Sequence, residues 1–179
     1  MVRTRVGFSD GAEVVQVDFD PESISYQALL DVFWRSHNPA GSNRSRLYQK
    51  GVFVHNDAQD RIAKKSLATQ QSSSGSKITS TIEPANFRLA SSSDQKYYLR
   101  HDPSLWSEFQ KQYSKDSDIV DSPAAAKVNG YLAGNSNRKQ FEAYSESLGL
   151  SPQSLARLRD RVPTKAHHWV PHCKLPALK

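Results

Sequence analysis

Cys173 is the only cysteine in the chain. That excludes an internal disulfide, and a reducing, cytoplasmic setting is the simplest expectation. Long apolar runs are missing as well. None approaches the roughly 20 residues that a membrane span requires, so no membrane partner is expected. The opening Met-Val-Arg-Thr-Arg is not followed by the apolar stretch of a secretory leader. Apolar residues in general are scarce, at 37% of 179. This is below the usual globular share, so one domain with a small appendage is affordable but not every segment can join a core.

Positive charge is present but badly distributed for a nucleic-acid surface. The formal net charge is +6. Residues 150–179 hold six cations (Arg157, Arg159, Arg161, Lys165, Lys174, Lys179) against one acid, Asp160, which leaves the rest nearly neutral. A uniform basic face is not indicated, and this end reads as a solvated tail. Sequence-independent, salt-sensitive binding would be the signature of the opposite case.

The pattern along the chain predicts its elements. Arg3 to Phe8 reads as a short strand with Val6 and Phe8 on one face. Ser9-Asp10-Gly11 is a turn, and Ala12 to Phe19 a second strand with Val15, Val17 and Phe19 on one side. A helix follows, capped by Ser25. Its Tyr26, Leu29, Leu30 and Phe33 recur at i, i+3, i+4, i+7, and Asn38-Pro39 stops it. Residues 40–50 are a polar loop. Val52 to Val54 reads as a strand, and a weaker helix runs from Asn56 or Asp57 to about Leu67. Ser72 to Ser76 reads as a flexible loop and Ile78 to Ile82 as a strand ended by Pro84. Lys96 to about Tyr113 is helical in two pieces broken near Asp102-Pro103. Beyond residue 116 come short helices opened by Ser122-Pro123, by Lys139 and by Ser151-Pro152. This order predicts an α+β sandwich with helices on a mostly antiparallel sheet.

Several stretches carry a resemblance. Arg3-Thr4-Arg5-Val6-Gly7-Phe8 is the first. The most specific runs Ala12-Glu13-Val14-Val15-Gln16-Val17-Asp18-Phe19-Asp20-Pro21, then Ile24-Ser25-Tyr26, Leu29-Leu30, Val32-Phe33-Trp34 and His37-Asn38-Pro39. Leu47 to Phe53 and Ile78 to Ile82 are weaker. Together they resemble the class A peptide methionine sulfoxide reductases. The resemblance covers most of residues 3–160. It implies the ferredoxin-like α/β sandwich of that family, here without its first strand and helix, with a small C-terminal helical extension. Residues 1–115 are then the incomplete reductase-like domain, 116–162 the extension and 163–179 a basic disordered tail.

The resemblance also implies a chemistry, that of an oxidoreductase in protein repair and the oxidative stress response. A cysteine or selenocysteine attacks the sulfur of methionine S-sulfoxide in an oxidised peptide or protein. A sulfenic acid forms and methionine leaves. A glutamate and tyrosines bind and protonate the sulfoxide oxygen. Thioredoxin or another thiol regenerates the enzyme, and no cofactor is needed. Glu13 stands where the family has its acid; on strand pattern alone it would be an ordinary surface glutamate. Tyr48 matches an oxygen-binding tyrosine, with a core tyrosine as its plainer reading.

The nucleophile is absent. The family's Gly-Cys-Phe-Trp-Gly segment belongs upstream of Arg3, and only Met1-Val2 precede it. The loops at 9–12, 41–47 and 91–95 are also eroded relative to the family. Cys173 reads as an inert tail thiol. The nearby His167, His168 and His172 lack zinc-site spacing, so no metal is expected. Two accounts follow: a truncated or mis-started reductase gene, or a non-catalytic homologue acting as a protein-interaction module. On either account the chain as written is expected to lack turnover. It is also expected to be only marginally stable, because the missing segment begins with a central strand of the family's sheet.

Overall fold

A computed structural model of the chain describes residues 2–43 and 45–164. Strands β1 (Arg3–Ser9) and β2 (Ala12–Asp18) form an antiparallel hairpin in register from Arg3↔Asp18 to Ser9↔Ala12. Asp10 and Gly11 join them with φ of 47° and 87°. Two consecutive positive-φ residues make the tight primed turn whose twist suits a hairpin, and Asp-Gly is a pair that tolerates it. Strand β5 (Phe87–Leu89) adds to the other side of β1, with Gly7 opposite Leu89. The sheet order is β2-β1-β5. Gly7 is required here, since an added Cβ would lie 2.5 Å from the Phe87 ring and collide with the Arg88 carbonyl.

A second sheet pairs β3 (Gly51–Val54) with β4 (Thr81–Pro84). The two are parallel, joined by helix α2 (Asp57–Ser73) as the crossover. The expected predominance of antiparallel pairing therefore holds for one sheet and not the other. The predicted strand at Ile78 to Ile82 is displaced to Thr81–Pro84. The reason is local: Thr79 donates from its N–H to the Pro39 carbonyl (2.9 Å) and from its hydroxyl to the Gly41 carbonyl (2.6 Å), while Ile78 turns into the core. Those bonds commit 78–80 to the 38–43 loop instead of to a ladder. Helix α2 runs through Ser72 and Ser73, which the serine-rich composition had placed in a loop.

Helix α1 (Tyr26–Arg35) begins as predicted, with the Ser25 side chain accepting from the Ala28 N–H at 3.1 Å. It packs on α2 around Leu30, Trp34, Val54, Ala63 and Ile78. The Trp34 indole N–H donates to the Ser66 hydroxyl at 2.7 Å. That bond keeps the ring's polar edge satisfied inside the core.

The C-terminal half is helical: α3 (Tyr97–Arg100), α4 (Pro103–Gln112), α5 (Asp116–Asp121), α6 (Pro123–Leu132), α7 (Arg138–Tyr144), a 3-10 turn (Ser145–Leu148) and α8 (Pro152–Arg161). Pro occupies the first turn of α4, α6 and α8, where its missing N–H costs nothing. These elements share a second core that includes Leu99, Phe109, Val128, Phe141, Leu158 and Val162. The sequence pattern missed β5 and α5, both too short to show a period. The tail beyond Thr164, with Cys173 and the His167, His168 and His172 group, lies outside the described residues.

Among the described residues, the β2-β1-β5 sheet supplies none to either core. Val15, on the apolar face of β2 that it shares with Val17 and Phe19, is 62% exposed. The sheet is tied to the helical half by charge: Asp121 of α5 accepts from Arg5 Nε at 2.7 Å and Arg3 Nη1 at 3.1 Å. Both arginines lie on the β1 face opposite Val6 and Phe8.

Candidate functional site

Glu13 sits on β2 opposite Phe8 and shares a strand face with Val15 and Val17. It is half-buried. Burial first, and then the negative charge of Asp94, push its carboxyl above the ordinary glutamate value. Both causes disfavour the ionised form, so the group holds a proton to higher pH than a surface glutamate does.

The loop that carries Tyr48 is brought to the same strand. The Glu13 N–H donates to the Leu47 carbonyl at 3.0 Å. A set of polar contacts holds the loop in that place. Arg46 Nε donates to the Asp10 carbonyl at 2.9 Å, and its terminal nitrogens reach both Glu83 oxygens at 2.8 and 3.1 Å. Lys50 Nζ donates to the carbonyls of Gly41 (2.6 Å) and Asn38 (3.2 Å). Asn43 bridges Thr79 and the Lys50 N–H. The guanidinium of Arg46 holds the Glu83 carboxyl down at about 2, with help from Thr81 and Gln49. Tyr48 itself is 48% exposed in a turn ahead of β3. Its plainer reading as a core tyrosine is therefore wrong.

A second loop borders this strand pair from the far side of β1. Beyond β5, the Ala90 N–H donates to the Val6 carbonyl (3.1 Å), and a side chain completes this ladder position on β1. The Val6 N–H donates to Gln95 Oε1 (2.8 Å), and Gln95 Nε2 donates to the Val6 carbonyl (2.7 Å). Lys96 Nζ then donates to the Thr4 carbonyl (2.6 Å) and hydroxyl (2.9 Å). Gln95 and Lys96 are 1% and 4% exposed. Burial lowers the Lys96 ammonium to about 8. The sequence pattern read 91–95 as an eroded polar loop and missed both residues, because a side chain standing in for a strand leaves no period.

The arrangement presents a readily protonated carboxyl and, on the adjoining loop, an exposed phenol. Among the described residues no group of three His, Cys, Asp or Glu side chains could hold a metal. No described helix is long and apolar enough to cross a membrane. A surface depression of about 190 Å3 lies elsewhere, between α4 and α8, lined by Asp102, Leu105, Arg157, Leu158, Asp160 and Arg161.

Comparison with known proteins agrees with this geometry. Residues 4–127 match the family model described as peptide methionine sulfoxide reductase. The peptide methionine sulfoxide reductase of Drosophila melanogaster is 31% identical over 168 residues, taking in 85% of this chain and 67% of that protein. Peptide methionine sulfoxide reductase A1 of Arabidopsis thaliana is 36% identical over 97 residues, 51% of this chain and 48% of that one. The crystal structure of Mxr1 from Saccharomyces cerevisiae in reduced form aligns with a TM-score of 0.51 at 30% identity, covering 56% of this chain and 71% of that one. The chain belongs to the class A peptide methionine sulfoxide reductase family and has its mixed α/β fold. It spans from about half to two thirds of the length of these two curated relatives.

Proposed function

We propose that this chain carries the oxygen-binding and protonating part of a methionine S-sulfoxide reductase site, and that by itself it does not turn over. The observation that carries the reading is Glu13, a half-buried carboxyl with a raised pKa on the strand to which the Tyr48 loop is bonded. In the reaction a thiolate sulfur bonds to the sulfoxide sulfur while the oxygen takes a proton from Glu13. The S–S bond just formed and the S–O bond of the sulfoxide then both break as the protonated oxygen passes to the attacking sulfur, which leaves methionine and a sulfenic acid. A second thiol displaces that oxygen as water and leaves a disulfide, which a thioredoxin-type dithiol reduces. Tyr48 is assigned the neighbouring hydrogen bond to the sulfoxide oxygen. The substrate is methionine sulfoxide in oxidised peptides or proteins. No described side chain supplies the thiolate, and Cys173 is the only cysteine.

The test is turnover of a methyl-S-sulfoxide peptide by the chain as given, with dithiothreitol as reductant. The expected result is none. Reduction that disappears in Cys173→Ser would overturn the inactivity and make Cys173 the nucleophile. A second reading, a non-catalytic protein-interaction module, draws support from the bare sheet, where Val15 is 62% and Leu89 57% exposed. A methyl-S-sulfoxide peptide that perturbs the Glu13 and Tyr48 resonances favours the first reading. No perturbation at either favours the second.

A further inference from the structure

The contacts that hold Gln95 point to a role beyond filling space. We propose that Gln95 is a positioning residue for the Glu13 site: its buried amide completes the β1 ladder at Val6 and so keeps the loop carrying Asp94 on the strand pair that presents Glu13. This rests on the reading of Glu13 as the proton donor.

An amide side chain is the one neutral group that offers a donor and an acceptor with the spacing of a peptide unit. Gln95 uses both on Val6, at 2.8 and 2.7 Å, and is 1% exposed. Ala90, just past β5, already donates its N–H to the Val6 carbonyl (3.1 Å), so Gln95 supplies the acceptor that the Val6 N–H otherwise lacks and a second donor to that carbonyl. Val6 lies opposite Val15 on β2, and Phe8, next on the same face of β1, lies opposite Glu13. The Gln95 anchor is thus one ladder step from the candidate acid.

The loop ahead of the anchor is closed on itself. The Asp94 N–H donates to the Ser91 carbonyl at 3.1 Å, and the Ser91 hydroxyl donates to Asp94 Oδ2 at 2.7 Å. Asp94 is therefore fixed to the loop, and the loop to β1. Arg88 of β5 stands opposite Phe8 and is exposed, and Arg46 and Tyr48 lie on the 46–48 loop. Burial is the larger cause that keeps Glu13 protonated, and Asp94 is the charge that adds to it. A loop free to swing away would relieve that repulsion, and Glu13 would lose its proton at lower pH.

The experiment is a carbon-13 titration of the Glu13 carboxyl in the full chain and in two variants, Gln95→Met and Asp94→Asn. Met keeps the volume and removes both hydrogen-bonding groups. Both variants are expected to move the Glu13 midpoint down toward that of an ordinary glutamate. In Gln95→Met the Val6 amide proton is expected to exchange faster by at least on the order of tenfold. A folded Gln95→Met chain with an unmoved Glu13 midpoint overturns the proposal. Should that variant not fold, an unmoved midpoint in Asp94→Asn overturns it, and so does a Val6 amide in the parent chain that exchanges like an exposed one. A parent chain whose Glu13 midpoint is not raised removes the proton-donor reading itself, which separates the two failures.

Discussion

The backbone N–H of Glu13 donates to the carbonyl of Leu47 at 3.0 Å, which joins β2 to a loop more than thirty residues further along the chain. Glu13 and Tyr48 are the two residues that the family resemblance singles out. The bond brings their segments together, although no pattern local to either would pair them. Four further predictions rest on the surrounding network.

Glu13 should make stability fall with rising pH. Its carboxyl is raised above 4.5 by burial and by Asp94. The folded chain therefore holds the proton more firmly than the unfolded one. The group's contribution is complete below 4.5 and is lost as pH rises through the folded value. Glu13→Gln, which carries no charge, should lose less stability between acid and neutral pH than the parent does. Chemical denaturation at several pH values reads the difference.

His37 should act in the opposite direction. One ring nitrogen lies 2.8 Å from the Phe33 carbonyl and the other 3.0 Å from the Ser80 hydroxyl. Burial holds the imidazole below 6.5. Protons bind the unfolded chain first, so this contribution is full above 6.5 and is lost as pH falls from there toward the folded value. His37→Ala should remove that dependence and cost about 1 kcal/mol at neutral pH, since the buried Ser80 hydroxyl loses its bond to the ring while the Phe33 carbonyl still accepts from Ser36. Thermal unfolding across the acid range checks both.

Arg46→Ala should release the loop that carries Tyr48. The Glu83 carboxyl, held at about 2 chiefly by Arg46, should titrate closer to 4.5, with Thr81 and Gln49 still lowering it in part. In the parent, Glu83 contributes stability above 4.5 that is lost as pH falls through about 2. The variant should show a shallower acid limb and faster amide exchange at residues 46–50.

Gly7→Ala should be costly although the change is one methyl group. The new Cβ would meet the Phe87 ring at 2.5 Å and the Arg88 backbone. Backbone cannot yield as a side-chain tip does, so β5 must move or detach. A loss of about 1–3 kcal/mol is expected. Broadening or loss of the β1–β5 cross-strand contacts by NMR would distinguish this from a general loosening.

Much of the local structure was legible in the sequence. The Asp10-Gly11 turn, the Ser25 cap and the proline-led starts of α4, α6 and α8 follow from backbone preferences of single residues. Helix α1 follows from its apolar stripe. The misses share a cause. Ile78 to Ser80 alternates like a strand, yet Thr79 bonds to Pro39 and Gly41 across the loop. Val15 alternates like a buried residue, yet nothing among the described residues covers it. Tyr48 could be placed on a loop from sequence but not assigned its exposure.

Residue type and spacing alone determined most of the order of elements, because this depends on side-chain identity and short-range backbone preference, and the motifs carried the resemblance that pointed to the family and to Glu13 as the position of its acid. Only the tertiary structure decided that β3 and β4 pair in parallel, that Gln95 and Lys96 stand in for a strand on β1, and that the Leu47–Tyr48 turn lies against Glu13. Each of these is a hydrogen bond or ladder between segments far apart in the chain. Such pairing is set by which donors and acceptors remain free once the local elements have formed, and no local pattern records it.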